Sequence, residues 1–164
     1  MGVSLAASTT KKVRIARFDR EPLVGYVNPQ TYLRPGGVEL LTPEGNFSVV
    51  PYDEIKAVQF VRDFDPAEPG GERKVFTTRP KIDGLWVRVK FRDGEIMDGI
   101  LANNLLHLET QGFTVVPPDA YSNNQRLFLP RPALVEVQVL GVVGSPLRRP
   151  KARPAAKEQI GLFD

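Results

Sequence analysis

Residues 87–101 read VRVKFRDGEIMDGIL, and residues 13–27 read VRIARFDREPLVGYV. Laid over one another without a gap, the two stretches share Val13/Val87, Arg14/Arg88, Asp19/Asp93, Glu21/Glu95 and Gly25/Gly99. The second stretch has the pattern of a hairpin. VRVKF alternates and is rich in β-branched and aromatic residues, Asp93-Gly94 supplies a tight turn, and IMDGIL returns as the partner strand. In the first stretch Arg20 stands in place of that glycine and Pro22 follows, so a wider turn is expected there.

Working outward, the correspondence continues. GGVELLTPEG at 36–45 pairs with QGFTVVPPDA at 111–120, and VVPYDEIKAVQFV at 49–61 pairs with FLPRPALVEVQVL at 128–140, with Pro51/Pro130, Val58/Val137 and Gln59/Gln138 coinciding. The offset drifts between apolar segments, where loops tolerate insertion. A duplicated unit follows. Each copy reads as five short strands, and PYDEI or PRPAL leaves room before the last one for a single helical turn begun by proline.

Five short antiparallel strands bury one core by curling into a small barrel. The expected fold is therefore all-β, two tandem five-stranded barrels with a disordered C-terminal tail. Its divisions are an N-terminus at 1–10, a first barrel at 11–64, a linker at 65–84 in which KVFTT could add a strand, a second barrel at 85–143, and a basic tail at 144–164. Trp86 falls on the opening strand of the second copy, where it packs in the core or between barrels. The strand order, together with LWVRVKFRDGEIMDGIL and PPDAYSNNQRLFLPRPALVEVQVLG, resembles the small barrels called SH3-like and Sm-like, and also a bacterial family of duplicated domains with no established activity. The Sm resemblance implies RNA binding. Against it, Asn103 and Asn104 follow Gly99 almost at once where the Sm pattern spaces Asp and Asn more widely, and copy one offers only Asn28.

Composition narrows the chemistry. There is no cysteine, which removes disulfides, thiol nucleophiles and thiolate metal sites, and His107 is the single histidine. No apolar run approaches the roughly 20 residues that span a bilayer, so a cytoplasmic protein with no membrane partner is expected. The net charge of +3 comes from the last twenty residues, where five basic side chains face two acidic ones; the body holds 17 of each. A neutral body gathers no polyanion at long range.

The candidate acids read as structural. Asp19 and Asp93 lie at turn positions that favour Asp, Asp98 is assigned to the solvent face of its strand, and His107 in LLHLE is a surface or half-buried strand residue. No enzyme, cofactor or metal site is expected. Binding groups lie elsewhere. YSNNQR, the insertion peculiar to copy two, offers Tyr121, Asn123, Asn124, Gln125 and Arg126 as loop contacts, and Arg148, Arg149, Lys151 and Arg153 offer phosphate contacts. Arg149 and Arg153 resemble half of the cyclic-di-GMP signature of PilZ domains, whose other half is missing.

The tail SPLRRPKARPAAKE is too poor in apolar residues and too rich in proline to fold, and it ends in QIGLFD. QIGLF resembles the pentapeptide by which bacterial polymerases and repair proteins dock on the sliding clamp. That resemblance implies that Gln159 is the polar anchor, Ile160 stands in for the usual Leu, and Leu162 and Phe163 enter an apolar cleft; Gly161 departs from the common Ser or Asp. The expectation from sequence is a non-enzymatic adaptor that docks a protein partner, the sliding clamp among the candidates, through its terminal peptide. The alternative is a nucleic-acid-binding protein that uses the basic tail and an Sm-like barrel face.

Overall fold

The computed structural model describes residues 10–64, 74–119 and 123–144. Tyr121 and everything from residue 145 onward, including Arg148, Arg149, Lys151, Arg153, Gln159, Ile160, Leu162 and Phe163, lie outside the described residues. The described part is all-β. The first half, aligned in sequence as copy one, contributes β1 (Lys11–Arg17), β2 (Leu23–Val27), a two-residue β3 (Leu33–Arg34), β4 (Gly37–Leu41), β5 (Phe47–Val50) and β6 (Ile55–Val61). Copy two contributes β7 (Gly84–Phe91), β8 (Ile96–Leu101), β9 (Gly112–Val116), β10 (Asn124–Pro130) and β11 (Leu134–Val143). Single 3-10 turns at Tyr52–Glu54 and Arg131–Ala133 precede β6 and β11, each entered from a proline, Pro51 or Pro130.

The same registers recur in both copies. Val13 faces Gly25 and Phe60, while Val87 faces Gly99 and Val139. Leu40 faces Ser48, as Val115 faces Leu127. The shared glycine at Gly25 and Gly99 has a steric cause: a Cβ there would strike the Leu41 carbonyl in copy one and the Val115 side chain in copy two, where the sheet bends onto its next strand. The hairpins differ as their turns do. Gly94, at φ +95°, closes the second, with Gly94 N–H donating to the Phe91 carbonyl; the first takes one residue more and is held by the Arg17 guanidinium donating to the Glu21 carbonyl.

Two closed tandem barrels do not form. The strands make one open antiparallel sheet in the order β11-β7-β8-β9-β10-β6-β1-β2-β4-β3, with β5 also paired to β4. The reason lies in one seam. Closing copy one would require β5 to pair along the free side of β6, but β10 of copy two occupies that side, with Arg126 opposite Phe60, Leu127 opposite Gln59 and Phe128 opposite Val58. The same pairing takes the side of β10 that β11 would need.

The seam also mixes the cores. Val13, Ile15, Val38, Leu40, Ile55 and Val58 pack with Phe128 from the other copy, and Val87, Val89, Phe91, Val115 and Leu129 pack with Ala57. The Phe128 ring stands edge-on to Tyr32 at 6.1 Å between centroids. Burying an aromatic side chain in this way stabilises by roughly 2–3 kcal/mol from area alone.

Three further local expectations are corrected. KVFTT forms no strand, yet it is tied to β8 by Asp98 N–H donating to the Lys74 carbonyl at 2.7 Å. Asp98 is fully buried, because this segment covers the face that its strand would otherwise give to water. His107 lies in a 3-10 turn, Leu105–His107, and is exposed; the Asn104 side chain caps that turn by accepting from Leu106 N–H at 3.0 Å.

Candidate binding surfaces

Carboxylates, lysines and arginines form two clusters, and their geometry decides whether they are free to act. Asp98 accepts from Arg88 Nε at 2.6 Å and Nη2 at 3.0 Å, from Trp86 Nε1 at 3.2 Å and from Phe76 N–H at 3.1 Å. Burial opposes its charge, but these four donors outweigh it and hold the carboxyl below the usual carboxylate range. Trp86 is thus a hydrogen-bond donor at one end and, at the other, an edge-on neighbour of Phe76 at 6.1 Å. With both oxygens occupied, Asp98 is a clasp that fastens residues 74–76 to β8.

The second cluster crosses between the copies. Lys56 of β6 binds Asp93 Oδ2 at 2.8 Å and also Glu95, whose other oxygen takes Lys74 at 3.1 Å. The ammonium lies 4.9 Å from the Phe91 ring centre, a favourable cation–π arrangement. Partial burial disfavours the Lys56 charge, yet the two carboxylates prevail and raise its pKa. Glu95 is lowered by Lys56 and Lys74 against its own desolvation, and Asp93 is lowered chiefly by its bond from Lys56. A general acid or base must trade protons near neutral pH, and these shifts run the other way. The cluster borders a cleft of about 270 Å³ with Arg17, Asp119 and Asn124 on its rim.

On the opposite flank a cleft of about 430 Å³ is lined by Tyr32, His107, Glu109, Thr114 and Arg126. Burial raises the Tyr32 phenol above its ordinary pKa, which keeps it neutral. Among the described residues no group of three histidine, aspartate or glutamate side chains could hold a metal, and no helix is long and apolar enough to cross a membrane.

The residues expected on the YSNNQR loop serve the seam. Asn123 accepts Asp63 N–H at 2.9 Å and Arg62 N–H at 3.2 Å and returns a bond to the Asp63 carbonyl at 3.0 Å, closing the open end of the β6/β10 pair. Asn124, Gln125 and Arg126 belong to β10 itself, and the Arg126 guanidinium lies 4.5 Å over the Phe60 ring. Gln125 remains exposed.

What sequence reading did not single out are two edge strands, β5 and β11. At β5, Phe47 is 69% exposed and Val49 53%; at β11, Val135 is 61% and Val139 58% exposed. Each strand has one partner only, β4 for β5 and β7 for β11. A readable signal existed. β10 carries the unbroken run Leu127-Phe128-Leu129 of a strand covered on both faces, whereas β5 has Ser48 where β10 has Leu127.

A family described as "Family of unknown function (DUF6982)" matches residues 9–141, the span of the sheet without the tail. No curated protein and no solved structure matches.

Proposed function

Since the chain belongs to that family of unknown function, we propose that it is a non-enzymatic, cytoplasmic binding and adaptor protein. Its folded part would make contacts through strand edges, and its terminal peptide, Gln159, Ile160, Leu162 and Phe163, would dock a protein partner, with the sliding clamp as the first candidate. The two halves are read as opened relatives of the SH3-like or Sm-like unit. The observation that carries the reading is that β5 and β11, each paired to a single strand, expose Phe47 and Val49 on one and Val135 and Val139 on the other. Edges of this kind take up an additional strand through main-chain hydrogen bonds. The fully engaged Asp98 and the Lys56–Asp93–Glu95 cluster support the absence of catalysis.

A titration separates this from the nucleic-acid alternative. A purified bacterial sliding clamp and a labelled single-stranded RNA are each titrated with the full chain, with a chain ending at Lys157, and with Leu162→Ala/Phe163→Ala, between low and high salt. Docking predicts clamp binding that survives salt and is lost in both altered chains. RNA affinity that falls steeply with salt, with no clamp binding, would instead favour the basic tail as a phosphate grip.

A further inference from the structure

We infer that the partner of the two open edges is a second copy of this chain, with β11 of one copy paired antiparallel to β5 of the next. The inference rests on reading those edges as contact elements, and the seam inside the molecule is its template. There, the last strand of copy one, β6, pairs with the fourth strand of copy two, β10. Apart from the two-residue β3, the open edges are the complementary pair: the last strand of copy two, β11, and the fourth full-length strand of copy one, β5.

The alignment fixes the register. Val49 corresponds to Phe128 and Val58 to Val137, so the seam pairs Arg126/Phe60, Leu127/Gln59 and Phe128/Val58 translate into Phe47/Val139, Ser48/Gln138 and Val49/Val137. Within one molecule Phe47, Val49 and Val139 are exposed; in this register Phe47 meets Val139 and Val49 meets the half-buried Val137, apolar against apolar. The contact is short, because β11 bulges after Val139 and Glu136 stands where β6 has Ala57. Pairing unlike edges is head-to-tail, so each added copy leaves a fresh β5 and a fresh β11 until a ring closes.

Two other features carry less. The cluster around Lys56 is internally satisfied, and the cleft beside Tyr32 presents no feature that selects a ligand.

The protein has no cysteine, which makes the test simple. Directly opposed residues in an antiparallel pair lie within disulfide reach. Chains carrying Ser48→Cys and chains carrying Gln138→Cys are oxidised alone and mixed, the full-length wild type is followed by light scattering against concentration, and a labelled peptide of residues 134–143 is titrated onto the wild type. A disulfide-linked dimer that forms in the mixture and not in either chain alone, with masses rising in multiples of 18.2 kDa, is the expected result. Adding Val49→Lys or Val139→Lys should return the mass to one copy. Cross-linking of Ser48→Cys with itself, or a mass of one copy at every concentration, overturns the inference. In the latter case, binding of the peptide leaves the edges as contact elements for another protein, and its failure to bind removes the proposed role of the edges as well.

Discussion

Strands β6 and β11 hold the same position in the two copies, with Val58/Val137 and Gln59/Gln138 in register, yet they live in different surroundings. β6 lies between β1 and β10 and buries Ile55, Ala57, Val58, Phe60 and Val61; β11 has β7 alone and exposes Val135, Val139 and Val142. β10 and β5 repeat the contrast, with Phe128 fully buried and Val49 mostly open. The difference is one of neighbours. Aligned positions such as Phe60 and Val139, or Phe128 and Val49, differ in burial according to which edge another strand has already taken.

The largest test of that contrast is a matched pair of truncations. Phe128→Ala should cost about 4 kcal/mol in urea unfolding, since it empties a site shared by both copies. Val49→Ala, at the corresponding place on β5, should cost under about 0.5 kcal/mol in dilute protein. Comparable losses would mean that β5 is covered in solution. Next comes Asp98→Ala, which strips a buried carboxylate from Arg88, Trp86 and the Phe76 amide and should cost about 3 kcal/mol. Limited proteolysis should then cut near residues 74–80 while the seam stays intact.

The strand pattern explains why these particular effects were only partly visible beforehand. Hairpin positions and the turns after Pro51 and Pro130 were legible, because alternation and turn residues are local. The seam was not. The run Leu127-Phe128-Leu129 signals cover on both faces of β10, and Glu136 stands where β6 has Ala57, but no local pattern names β6 as the strand that pairs with β10. Asp98 was misplaced for a related reason: a charged residue on an alternating strand reads as solvent-facing, and only the returning segment 74–76, which composition assigns to a linker, covers it. Asn123 looked like a loop ligand because its capping of Arg62 and Asp63 spans 60 positions in sequence.

A smaller effect probes the ionic link across the seam. Asp93, Glu95 and Asp98 all have lowered carboxyl pKa values, so their contribution is complete above the unfolded carboxylate range near pH 4 to 4.5 and is lost as pH falls through their lower folded values. Lys56, raised, contributes below the unfolded lysine pKa near 10.4 and ceases to do so as pH rises through its higher folded value. Urea midpoints should therefore be flat from about pH 5 to 9. Lys56→Met should lower that plateau by about 1 kcal/mol and soften the acid decline without abolishing it, because Asp98 keeps its own donors. The smallest expected change is a gain: Glu136→Ala makes the β11 margin resemble Ala57 of β6 and should tighten self-association a few-fold, read by light scattering.

The most direct measurement of the central claim is amide hydrogen exchange on the full chain at low and high protein concentration. The account predicts that β6 and β10 exchange slowly at both, while outward amides of β5 and β11 exchange fast when dilute and slow together as concentration rises. Protection of β5 and β11 equal to that of β6 and β10 in dilute protein, or exchange at the edges that ignores concentration, would contradict it.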